Sequence, residues 1–176
     1  MSNETEIAIV TFDDMQKAKE MLASLKEMEK EELVRLDDAV VIVKDEHGKL
    51  KVKETKDLTT GKGAAKGGIV GLVVGLMLGG PIGGLLLGSL AGALAGKSID
   101  LGVSKEKVEA VSDSMADASS ALLVQIESGN KDALAAMLRQ SGGELHEVSV
   151  TEEVTAEVSE VAAQAQHTAG GMDHLM

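Results

Sequence analysis

The sequence predicts an α+β sandwich of the split βαβ kind, interrupted by an apolar helical hairpin. Three observations carry that expectation. Short runs rich in β-branched residues alternate with amphipathic stretches at helical spacing. Two of those runs face each other across an Asp-Glu-His-Gly turn. Across residues 67–96 the chain carries no charge, and its glycines recur at every fourth position.

Residues 6–12 (EIAIVTF) read as a buried strand. Asp13 and Asp14 then offer an N-cap, with acidic charge near the first turn. Met15, Ala18, Met21, Leu22, Leu25 and Met28 follow at helical spacing, with Lys and Glu on the other face. That is an amphipathic helix of about four turns, whose methionines fill a core without needing a cofactor. Residues 33–36 and 39–44 form the next strand, and 45–48 turn the chain. Residues 49–53 return in strict alternation, with Lys49, Lys51 and Lys53 on a wet face that discourages edge-to-edge pairing. Beyond the linker 54–66 and the apolar insertion, Ser104 caps a helix over 105–117 that sets Val108, Val111 and Met115 on one face. Residues 120–126 are another buried strand. Asn130 caps a short helix bearing Leu134, Met137 and Leu138, which Gly142 and Gly143 stop. Leu145, Val148 and Val150 mark a last strand, 151–166 an acidic alanine-rich helix, and 167–176 a loose tail. With the insertion removed, the first six elements run strand, helix, strand, strand, helix, strand. That is the order of a ferredoxin-like sandwich, followed by an extra helix and strand.

Glycine inside a helix costs on the order of 1 kcal/mol relative to alanine, so a ladder of them needs compensation. A stripe without side chains lets another helix approach to backbone distance, which assigns helix packing to Gly67, Gly71, Gly75, Gly79, Gly84, Gly88, Gly92 and Gly96. Gly79, Gly80 and Pro81 interrupt the run near its middle and make a hairpin turn. Each arm, at ~1.5 Å per residue, reaches ~22 Å, short of a ~30 Å hydrocarbon core. Lys62 and Lys66 flank one end and Lys97 the other, which puts both ends at one polar interface. This reading leaves Ile69, Val70, Val73, Leu76, Leu85, Leu86, Leu90 and Leu94 facing outwards, where they need lipid or neighbouring copies. The alternative is a hairpin covered by the α/β domain itself.

Little in the chain carries chemistry. Residues 91–98 (AGALAGKS) fit a relaxed phosphate-loop pattern, but alanine replaces the first glycine and the match ends a helical arm instead of following a strand. The helix macrodipole accounts for Lys97 there. His167, Met172, His174 and Met176 are soft-metal ligand types on a tail without a scaffold. His47 falls in a turn and His146 on a strand. The acidic pairs Asp13-Asp14, Asp37-Asp38 and Glu152-Glu153 read as caps, turns and solvated faces. The expectation is no catalytic residue, no metal and no cofactor.

Net charge and composition narrow the partners. At −12, with only Arg35 and Arg139 as arginines, the 176-residue chain is unsuited to neutralising phosphates. Phe12 is the sole aromatic residue, so there is no base-stacking platform and no aromatic belt. With no cysteine there is no disulfide and no thiolate site. The acidic start MSNETEIAIVTFDD lacks the charged region of a secretory signal, which assigns any membrane encounter to the internal segment, from the cytoplasmic side.

The stretches EIAIVTFDDMQKAKEML, LDDAVVIVKDEHGKLKVKETKDLTTGKGAAKGG, the zipper through GALAGKSIDLGVS, and SALLVQIE together resemble a family of small bacterial proteins of unknown function. Many of its members are described as membrane proteins. The family combines a ferredoxin-like α/β domain with a glycine-zipper hairpin. The resemblance spans about residues 5–150 and leaves out the chain after Glu152. It implies this fold and a membrane-associated, self-assembling protein, and transfers no catalytic residue.

The expected organisation is 1–61 as the first part of the α/β domain, 62–98 as the hairpin, 99–151 as the second part, and 152–176 as an acidic helix and tail. The expected function is a non-enzymatic, membrane-associated homo-oligomer at the cytoplasmic face of the inner membrane. Its hairpin inserts into lipid or a shared apolar core. Its partners are itself and lipid, not nucleic acid. The alternative is a soluble cytoplasmic particle whose clustered hairpins form an apolar interior for lipid or another hydrophobic guest.

Overall fold

Alternation of β-branched and small residues makes β1 (Thr5–Phe12) a strand with two apolar sides. Ile7 and Ile9 point one way, and Ala8, Val10 and Phe12 the other. The computed structural model describes residues 5–56, 70, 73, 74, 77, 78, 105–126 and 131–150. Along it follow α1 (Lys17–Lys30), β2 (Leu36–Lys44), β3 (Leu50–Lys56), α2 (Lys105–Ser114), β4 (Ser119–Ile126), α3 (Lys131–Gln140) and β5 (Glu144–Val150). The result is α+β, with a five-stranded, fully antiparallel sheet compatible with a ferredoxin-like fold.

The strand order is β3-β2-β4-β1-β5. This corrects one expectation. The 120–126 strand, expected as the last of the six-element unit, lies at the centre, pairing with β1 on one side and β2 on the other, and the helix and strand expected as extras, α3 and β5, complete the unit in its place. The β3 strand, expected inside the six-element unit, is the added edge outside β2. Strands β1, β2, β4 and β5, with α1 and α3, then supply the split βαβ order. The physical reason is burial: Ala121, Leu122, Leu123 and Val124 are inaccessible on both sides, which only a central strand allows.

Both faces of the sheet are covered. On one, α1 contributes Ala18, Met21, Leu22 and Leu25 and α3 contributes Leu134 and Leu138, packed on Val10, Val41, Val43, Leu122 and Val124. On the other lie Val108, Val111 and Met115 of the α2 region. A one-residue shift in the β2–β4 register between Leu36 and Asp38 makes Asp37 the extra residue of a bulge. Strand side chains alternate with period two, so the bulge keeps Leu36 on the α1 face while turning Val40 and Ile42 to the other.

The Ser104 and Asn130 caps lie outside the described residues; at the other helix ends two differences stand out. The α1 helix has Gln16 at its N-cap and no side-chain cap from it. Asp14 instead accepts the Gln16 N–H at 2.7 Å, and the buried Ser120 hydroxyl of β4 accepts the Ala18 N–H at 3.1 Å. The same hydroxyl donates to the Asp14 carbonyl. The α2 helix ends at Ser114 instead of 117, and Ala118 adopts φ 56° before β4 begins. Gly142, at φ 81°, stops α3 as expected.

Candidate functional site

The sheet face under α2 receives part of the apolar insertion. Val70, Val73, Val74 and Met77 are helical and buried, packed with Ile7, Ile9, Val40, Ile42 and Leu123 of the sheet. Leu78 donates its N–H to the Val74 carbonyl at 3.0 Å, a helical bond. The Ser112 hydroxyl of α2 donates to the Met77 carbonyl at 3.0 Å, tying the two covering pieces together. This corrects the outward placement of Val70 and Val73: both are fully enclosed by protein. A run apolar on every side offers helical periodicity no contrast, so spacing alone cannot say which side meets the sheet.

That same face also carries buried polar atoms of the sheet. Asp38 and Gln125 are register partners on β2 and β4, only 2% and 6% exposed. Strand alternation puts both on the side of Val40, Ile42 and Leu123. Asp38 Oδ1 accepts the Ala39 N–H at 2.8 Å. Gln125 Oε1, the Ser119 hydroxyl and His146 Nε2 have no hydrogen-bond partner among the described residues. Ser119 and His146 also fall on this side, and Glu144 Oε1 stands 3.8 Å from the imidazole. Reading Asp37-Asp38 as a solvated pair therefore fails for Asp38. Its signal was a carboxylate directly preceding an unbroken apolar run.

A second polar group closes the sheet at the β2–β3 turn. Lys44 reaches the end of α2 and donates to the carbonyls of Met115 at 2.8 Å and Ser112 at 3.5 Å. The last turn of α2 has no basic residue of its own, so β2 supplies the cation that a helix C-terminus favours. Asp45 Oδ1 accepts the N–H groups of His47 at 3.0 Å and Lys49 at 2.9 Å, and its Oδ2 takes Lys51 Nζ at 2.8 Å. The Lys51 bond, then the backbone donors, hold this carboxyl down from 3.8 to about 2. The cluster is structural: it sets the turn and clamps α2 to the sheet.

The helix-packing glycines Gly67, Gly71, Gly75, Gly79, Gly84, Gly88, Gly92 and Gly96 lie outside the described residues, as do Gly80, Pro81, Lys62, Lys66 and Lys97. So do residues 91–98, the Glu152-Glu153 pair and the His/Met tail. Among the described residues no group of His, Asp and Glu could hold a metal. No helix among them is long and apolar enough to cross a membrane.

Compared with known families, the chain matches the one described as Protein of unknown function (DUF1269) over residues 64–163. The match begins at the apolar insertion and takes in α2, β4, α3 and β5, leaving β1 to β3 outside it. It also runs past Glu152, where the resemblance read from sequence stopped. No curated protein and no solved structure matches the chain.

Proposed function

The chain belongs to the DUF1269 family of proteins of unknown function, and from that premise we propose a non-enzymatic, membrane-associated homo-oligomer at the cytoplasmic face of the inner membrane. In this reading the α/β domain is ferredoxin-like, with β3 as an added edge. The glycine-zipper hairpin inserts into lipid or a shared apolar core. The observation that carries the reading is the uncharged run 67–96 with lysines at both ends. The buried side of its first arm adds support. Val70, Val73, Val74 and Met77 face the sheet, and the sequence from residue 69 to residue 78 holds no polar or charged side chain. No polar side is left, and a helix apolar all round requires cover on every side.

Extraction without detergent tests the proposal. The protein is expected in the membrane fraction, or as a large particle by light scattering. A monodisperse monomer in salt solution overturns it. The second reading, a soluble particle with clustered hairpins that hold lipid or another hydrophobic guest, draws support from the four first-arm side chains already enclosed by protein. Flotation on liposomes separates the two: particles that carry lipid yet ignore added vesicles favour the second.

A further inference from the structure

The strand that leads into the apolar segment is basic in an acidic chain. From residue 49 to residue 66 there are six lysines (Lys49, Lys51, Lys53, Lys56, Lys62, Lys66) against two acidic residues (Glu54, Asp57), while the whole chain carries −12. Lys51 and Lys53 stand on β3, the edge strand, with Lys49 directly ahead of it, and all three are exposed. Leu50 and Val52, between them, turn inward against the core. Alternate residues on a strand stand about 7 Å apart, so the edge is a row of ammonium groups. Lys51 is paired with Asp45, whereas Lys49 and Lys53 make no ion pair among the described residues.

The geometry points to this lysine edge of β3 as a docking surface for an anionic bilayer. The inference rests on the membrane reading above and adds the lipid charge to it. Two features select this occupant. The positive charge is concentrated just ahead of the uncharged segment 67–96, where a basic cluster meets an anionic leaflet as an apolar segment engages it. Basic residues without aromatic partners suit headgroups more than nucleic-acid bases. The lysines also act where the sheet ends: among the described residues β3 has no strand beyond it.

Flotation of the full chain on vesicles of phosphatidylcholine alone, and with 30 mol% phosphatidylglycerol, reads the inference out. Stronger binding to the anionic vesicles is expected, falling as salt is raised. Each lysine near such a surface is worth roughly 1 kcal/mol, so Lys49→Gln, Lys51→Gln and Lys53→Gln combined should weaken that binding on the order of a hundredfold. The corresponding triple arginine variant should retain it, which separates charge from damage to the fold. Equal binding to both vesicles, or a glutamine variant that floats like the parent, overturns the inference while leaving insertion of the hairpin standing. Binding to neither overturns both. If the glutamine variant instead loses self-association by sedimentation with flotation unchanged, the edge serves a second copy and the lipid assignment is wrong.

Discussion

The Ser120 hydroxyl on β4 accepts the backbone N–H of Ala18 at 3.1 Å, so a central strand caps the helix that follows β1. The first N–H groups of a helix have no partner inside it. Here one is satisfied from a residue 102 positions away in the chain.

Ser120→Ala should therefore cost more than an ordinary surface change. It removes both the cap on Ala18 and the bond to the Asp14 carbonyl at a fully buried site. Leaving buried backbone groups unmet costs about 1–3 kcal/mol. The midpoint of urea denaturation should fall accordingly. An unchanged midpoint would show that the cap contributes nothing.

Gly143 and Gly142 should respond differently to alanine. A Cβ on Gly143 would stand 2.5 Å from Val10 Cγ1 and 2.8 Å from the Thr11 carbonyl, so β1 would have to move. Overpacking of this kind costs about 1–3 kcal/mol. At Gly142 there is open space, and only its φ of 81° opposes a side chain, which costs about 1–2 kcal/mol. Gly143→Ala should be the more damaging of the two by thermal unfolding, with shifted amide resonances along β1. The reverse ranking would contradict the close approach.

Met77→Ala discriminates between a first arm that packs on the domain and one that merely passes it. Met77 is 2% exposed within the sheet-covering cluster. Truncating a buried methionine costs about 2–5 kcal/mol. The unfolding free energy of the α/β domain, read from urea denaturation, should drop by that amount. A variant as stable as the parent would place this side chain outside the core.

Asp45 makes stability depend on acid pH. Its folded pKa is depressed from 3.8 to about 2, first by Lys51 and then by the backbone donors. A depressed acid stabilises the fold fully above 3.8, and that contribution is lost as pH falls from 3.8 towards 2. Asp45→Asn should remove this part of the acid dependence and leave a flatter denaturation profile between pH 4 and 2. A profile identical to the parent's would mean that Asp45 takes no part. The carboxylate resonance, followed by NMR, should titrate near 2.

Much of the fold was legible because its signals are local. The turn at Asp45–Gly48, the alternation of Leu50 and Val52 with lysines, and the stripe Ala18, Met21, Leu22, Leu25 each lie within a few residues of chain. Boundaries for β1, β4 and β5 agree with that reading to within a residue or two. The candidate site was less legible. Asp38 carries the same side chain as the exposed Asp13 and Asp14, and only its place against β4 makes it a buried carboxylate.

Composition and spacing along the chain were enough to establish an α+β domain, its helices and the β2–β3 pair, and an uncharged glycine-rich stretch of sequence. They were enough because periodicity and turn chemistry act between near neighbours. Three-dimensional packing was needed to seat β4 between β1 and β2, to cap α1 with Ser120, and to turn Val70, Val73, Val74 and Met77 onto the sheet. Each of these joins residues far apart in sequence, and a uniformly apolar helix presents no preferred side until a surface exists for it to cover.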